Sequence, residues 1–215
     1  MTIDEIYSAI ATQKPPIIYI SGKTSTGKST FGRKLHDELG YHTIELEAVL
    51  LEIVQKHQFD EQSTFRKVFY EPEDFEAKTL FLKATDQIIA DALAKDRPTV
   101  IEGAVANVET LNRLLRSAGD LFFLYFHPSD LTTYTRNLTK RFMESDKDSY
   151  GGLPLKFWQL IDHEEFAVFC TTRKLTDNLE SSIKQYAQMS QKESLTRLNA
   201  FREKFKQVVV IEIRP

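Results

Sequence analysis

A chain of 215 residues is long enough for one α/β domain with a sizeable core and too short for two full domains. Hydrophobic content of 41% and charged content of 27% are those of an ordinary globule, and 28 Lys and Arg against 31 Asp and Glu leave a net charge of −3. That balance gives no support to a nucleic-acid coat or a membrane-surface protein, and the single cysteine, Cys170, excludes an intrachain disulfide and a cysteine zinc site.

In chain order, Met1 to Gln13 carries Asp4 and Glu5 and lacks the basic start and long apolar centre of a signal peptide. Together with the lone cysteine this sets the expectation of a cytoplasmic protein. Ile17–Ser21 reads as a buried strand. It enters Gly22-Lys23-Thr24-Ser25-Thr26-Gly27-Lys28-Ser29, which fits G-x-x-x-x-G-K-[ST], and a helical stretch from Thr30 to Leu39 leaves it. The spacing has a physical cause. Glycines let the backbone curl so that successive amides point at phosphate oxygens, and the helix N-terminus adds its positive end. Residues Gly22 to Thr30 are therefore expected to bind a nucleoside triphosphate, with Lys28 on the β- and γ-phosphates and the Ser29 hydroxyl on Mg2+.

The second strand, His42–Leu46, ends in Glu45 and Glu47, expected on one face of an extended segment. A carboxylate there can take the proton of an attacking hydroxyl, and Glu47 is placed ahead because it falls at the strand-to-helix turn. A solvent-facing pair, or a carboxylate at a helix N-terminus, remains the alternative. Residues of about 57–75 are aromatic and charged with Pro72 as a breaker, and predict an insertion over the substrate side. Phe75 to Ala94 has apolar residues at 80, 81, 84, 88, 89, 92 and 93, close to helical spacing.

Thr99–Glu102, bounded by Pro98 and Gly103, is the third strand. Glu102 at its end is a candidate Mg2+ holder beside Ser29, and Gly103 is expected to admit a ligand close to the backbone. The fourth strand, Leu121–Phe126, is the longest apolar run and far too short to span a bilayer, so no membrane partner is expected. Leu131 to Phe142 predicts a helix carrying Arg136, Lys140 and Arg141, and Gly151-Gly152 and Pro154 then interrupt the chain. From Leu155 nearly to Lys206 the sequence is helical again, with core expected from Leu175, Leu179, Ile183 and Tyr186 and then from Leu195, Leu198, Phe201 and Phe205. Val208–Ile213 supplies the fifth strand. The fold class is α/β: a three-layer P-loop NTPase fold with a five-stranded, mostly parallel sheet in one domain, 1–215. A lid is expected at about 129–154 and a helical C-terminal region at about 155–206.

Ile20-Ser21-Gly22 leading into Gly27-Lys28-Ser29-Thr30, the acidic end of the second strand, and Ile101-Glu102-Gly103 together resemble the small-molecule P-loop kinases, particularly the uridine kinase and pantothenate kinase branch. The resemblance covers about residues 15 to 145, and its specific part is the phosphate loop. It implies an ATP- and Mg2+-dependent phosphotransferase in which Lys28 and Ser29 take the phosphate and metal positions, Glu102 the Glu-Gly position, and Glu45 or Glu47 the place of a base that is usually Asp. Arg136, Lys140 and Arg141 fall where such kinases carry a basic lid helix. The branch's adenine-contacting loop follows the fifth strand, and here the sequence runs out at Arg214-Pro215, so the base contact is expected from elsewhere, such as the lid. Zeta-toxin-like, shikimate-type and nucleoside monophosphate kinases stay open. The acceptor expected is a small molecule, a nucleoside, nucleotide, vitamin or sugar. The alternatives are a kinase acting on a nucleic-acid end or a sugar nucleotide, and a P-loop switch that phosphorylates nothing. Oligomeric state is open, a homodimer included.

Overall fold

Short apolar strands separated by amphipathic helices leave a chain one economical solution, a parallel sheet with helices on both faces. The computed structural model describes residues 2–60, 64, 68, 75–94, 97–103, 112–113, 116, 121–143, 179–204 and 209–212. In chain order these include α1 (Ile3–Gln13), β1 (Ile17–Gly22), α2 (Lys28–Leu39), β2 (His42–Glu45), α3 (Leu46–His57), α4 (Glu76–Ala94), β3 (Thr99–Glu102), β4 (Leu121–His127), α5 (Leu131–Met143), α6 (Leu179–Lys204) and β5 (Val209–Glu212). The strands form one sheet in the order β2-β3-β1-β4-β5, and every pairing is parallel. The chain leaves β1 towards β2 on one side and later fills β4 on the other. A crevice therefore opens beyond the carboxyl end of β1, where α/β sheets bind ligands.

Side chains alternate across the sheet, and this sorts the core into two layers. Ile17, Tyr19, Ile101, Leu121, Phe123 and Tyr125 face α3, α4 and α6. Ile18, Ile20, Val100, Leu124 and Phe126 face α1 and α2. The first helix has a sequence cause: Thr2 accepts from the Glu5 amide while the Glu5 carboxylate accepts from the Thr2 amide, a capping box that starts α1 and buries Ile6 and Ile10. Helix α3, which begins at the strand-to-helix turn expected near Glu47, buries Leu46, Leu50, Leu51 and Val54 at helical spacing.

Two stripes differ from expectation. In α4 the buried positions are Ala77, Phe81, Thr85, Ile89 and Ala92, while Leu93 is 41% exposed. Thr85 can be buried because its hydroxyl donates to the Phe81 carbonyl at 2.9 Å. In α6, Ile183, Tyr186, Leu198 and Phe201 are buried as expected, but Leu195 is 46% exposed and Ser190 and Ser194 take the core positions between them. Serine fits there because α6 lies close on β4, and Ser194 Oγ sits 2.9 Å from His127 Nδ1.

Within the expected insertion, residues 57–60, 64, 68 and 75 are described; Thr64 and Val68 are buried, Val68 in the same layer as α3 and α4. The rest of that stretch, residues 144–178, Cys170 and Phe205 lie outside the described residues. No helix among the described residues is long and apolar enough to cross a membrane.

Candidate active site

The phosphate loop is shaped by its backbone. Gly22 ends β1 at φ 142°, where a side chain would overlap the Phe126 carbonyl oxygen on the neighbouring strand. Ser25 (φ 58°) and Gly27 (φ 91°) are left-handed, the second opening α2 without a side-chain cap. The first amides of α2 are thus left for an anion. Lys23 is the hub of the loop: its carbonyl accepts from Thr26 Oγ1 at 2.6 Å and from Lys28 Nζ at 2.9 Å. Its own ammonium pairs with Glu193 of α6 at 2.6 Å, and Asn137 of α5 donates to the Ser25 carbonyl at 3.3 Å. Thr24 and Thr30, which complete the predicted loop, are half-buried and exposed respectively.

Three carboxylates meet the far side of this loop, Glu45, Glu47 and Glu102. Ser29 Oγ donates to Glu102 Oε1 at 2.7 Å, joining the first turn of α2 to the end of β3. Glu102 is only 6% exposed, yet its Oε2 has no hydrogen-bond partner. A buried carboxylate oxygen left so is costly, and a hard cation is the group that satisfies it. Parallel register sets Glu45 beside Glu102. Burial, then the Glu102 charge, raises the Glu45 carboxyl, with Arg33 pulling the other way. Glu47 is pushed up to about 8, by burial first and the Glu102 charge next, with a smaller push from Glu45; a backbone hydrogen bond and Lys28 oppose it. Tyr19 beneath is raised by burial and by Glu47. Lys28, Ser29 and the three glutamates thus share one electrostatic field.

Among the described residues no group of three or more His, Cys, Asp or Glu is placed to hold a metal ion. Ser29 and Glu102 fit Mg2+ in the manner that ion favours, with one or two protein ligands and the remainder from phosphate and water.

The structure corrects two local expectations. Glu45 and Glu47 do not share a strand face: β2 ends at Glu45 and Leu46 starts α3, so Glu47 lies in a helical first turn. Burial of Leu46 forces that early turn. Gly103 is not explained by ligand approach, because a Cβ there would lie 2.8 Å from Leu46 Cδ1 and 3.0 Å from its Cβ. It makes room for α3, while its amide donates to the Ile20 carbonyl at 3.1 Å. Arg136 and Lys140 are exposed on α5 and Arg141 is half-buried, while Asn137 of the same helix contacts the loop. The inner face of α5 is anchored instead, with Tyr134 and Leu138 packed on Ile183, Tyr186 and Ala187 of α6. Asn137 and Glu193 were missed by sequence reading because long-range partners of single polar residues leave no periodic signal.

Fold and loop define a P-loop nucleotide-binding α/β protein. A family model described as an AAA domain matches residues 17–151, more than half of the chain, and the chain belongs to that family. It is 26% identical over 129 residues to a shikimate kinase of Chloroherpeton thalassium, an alignment spanning 60% of this chain and 62% of the relative. Among solved structures it is similar to a sugar kinase from Janibacter sp. HTCC2649 (14% identity, TM-score 0.43, covering 86% of this chain and 94% of the other). A gluconokinase from Sinorhizobium meliloti 1021 (14% identity, TM-score 0.38) covers 89% of this chain and 98% of the other. The narrower likeness to the uridine kinase and pantothenate kinase branch finds no specific support in the family match or in the shikimate kinase relative.

Proposed function

We propose that the protein is an ATP- and Mg2+-dependent phosphotransferase acting on a hydroxyl or phosphate of a small molecule. The observation that carries this reading is the Ser29–Glu102 hydrogen bond, which puts the phosphate loop and a strand-end carboxylate in one site with an unpartnered oxygen facing no donor. Small-molecule kinase names among the relatives agree with it. A switch protein would need no acceptor base, and here two further glutamates stand beside Glu102.

In this mechanism the amides of Gly22 to Thr30 and the Lys28 ammonium hold the β- and γ-phosphates, and Ser29 and Glu102 hold Mg2+. Bound Mg2+ supplies positive charge that neutralises the phosphates. Glu47 receives the acceptor's proton, with Glu45 as the alternative base. Its carboxyl is pushed up to about 8 by burial and then by the Glu102 charge, and a cation held by Ser29 and Glu102 would favour its charged, proton-accepting form. Arg136 and Arg141 would act as charges on the transferring phosphate from α5, the helix that Tyr134 and Leu138 pack against α6.

The test offers the full chain γ-labelled ATP and Mg2+ with panels of nucleosides, nucleoside monophosphates, sugars, vitamins and oligonucleotides. Label is expected on a small acceptor. Label on oligonucleotides instead favours the nucleic-acid-end kinase, and hydrolysis unaffected by any acceptor overturns the kinase reading.

A further inference from the structure

One turn in the middle of α6 touches both sides of the site. Gln191 Nε2 donates to the carbonyls of Pro128 at 2.6 Å and Ser129 at 3.0 Å, just past β4. Ser194 Oγ lies 2.9 Å from His127 Nδ1, and between them Glu193 pairs with Lys23 of the phosphate loop. We infer that Glu193 is a positioning residue for nucleotide binding, acting through Lys23 on the shape of the loop. The inference rests on the reading of that loop as a nucleotide site.

Lys23 is the residue whose position the loop can least spare, because its carbonyl anchors both Thr26 and Lys28. Its side chain is 19% exposed and its ammonium is fixed by a carboxylate on a rigid helix, itself tied to the end of β4 on either side of Glu193. Two residues on, Asn137 holds the Ser25 carbonyl from α5. The loop is thereby gripped at both shoulders by elements far away in sequence. A loop ordered before the ligand arrives loses less freedom on binding, and affinity rises accordingly. A second possibility has the opposite sign: as a bare anion near a triphosphate, Glu193 would oppose binding, and its removal would tighten it.

Glu193 is 49% exposed, so the pair is screened and its effect is a modest one. Calorimetric titration of the full chain with Mg·ATP separates the cases. Glu193→Gln is expected to weaken binding about three- to fivefold at low salt with unchanged Tm. In a Lys23→Met background the same substitution is expected to change nothing, and at high salt the difference between wild type and Glu193→Gln is expected to shrink. Unchanged or tighter binding by Glu193→Gln, or an effect that persists with Met at position 23, overturns the inference. Failure of the wild-type chain to bind Mg·ATP overturns the nucleotide reading and this inference with it, whereas wild-type binding with an indifferent Glu193→Gln overturns the inference alone.

Discussion

The phosphate loop and the carboxylate cluster face each other across the end of β1, and they are made in opposite ways. The loop is one stretch of chain, Gly22 to Ser29, whose curl comes from backbone angles and from hydrogen bonds among its own residues, with Glu193 and Asn137 holding it from outside. The cluster draws Glu45 from β2, Glu47 from α3 and Glu102 from β3, so its geometry exists only once the sheet has closed. Charges agree in the first, where a helix N-terminus and Lys28 wait for an anion. They conflict in the second, where the two glutamates beside Glu102 are both pushed towards their protonated forms. A loop of this kind binds; a cluster of this kind needs a cation before it can work.

Breaking the loop side is expected to produce the largest effect. Lys28→Ala removes the ammonium that reaches the transferring phosphates, and turnover in the labelled-ATP assay is expected to fall by about 10² or more, at least ~3 kcal/mol of transition-state stabilisation. Its nitrogen lies on a loop carbonyl outside the core, so the circular dichroism spectrum should stay that of wild type. Near-normal turnover would remove Lys28 from the mechanism.

The difference between the two regions also governs what sequence alone reveals. Gly22 to Ser29 is legible because spacing and residue type suffice for it, and the strands are legible because short apolar runs bounded by Pro98 or Gly103 need no partner to be recognised. A helix after β2 is legible from the turn expected at Glu47, but its start reads a residue late because Leu46 belongs to strand and helix patterns alike. The buried stripe of α6 was half hidden because Ser190 and Ser194 are core residues by fit, Ser194 also by its contact with His127, which hydropathy does not measure. Glu45 and Glu102 are visible singly as strand-end acids. Their adjacency depends on strand order β2-β3-β1, which no local pattern encodes.

On the cluster side, Gly103→Ala tests whether the cradle for Leu46 holds the acids in place. A methyl group would press on Leu46 at 2.8–3.1 Å, and chemical denaturation is expected to show a loss of about 1–3 kcal/mol. If stability is unchanged, α3 is not seated by that contact. A smaller and more specific effect is expected from Glu102→Gln, which keeps shape and hydrogen-bond reach to Ser29 while removing the charge. The Mg2+ concentration for half-maximal activity should rise about tenfold, with acceptor KM little altered. An unchanged Mg2+ profile would separate Glu102 from the metal.

The last effect is graded with pH and sharpens the comparison most, because it reads the conflict among the carboxylates without any ligand. Glu47 is held up to about 8 in the folded protein, against its ordinary value of 4.5 when the chain unfolds. Between those values the folded state keeps a proton that the unfolded state has lost, so stability is fully present below about 4.5 and falls as pH rises towards 8. The decline from this one group is at most ~1.4 kcal/mol per pH unit. Glutamine imitates the protonated carboxyl at every pH, so in EDTA and without nucleotide Glu47→Gln should match wild type near pH 5 and exceed it in Tm by a margin that grows towards pH 8 and then levels. Lys28 and the Glu47 backbone hydrogen bond work against the shift, so a Lys28→Met background should widen the margin. Equal melting at pH 5 and pH 8 would mean that Glu47 titrates normally, and that the far side of the site holds its acids without conflict.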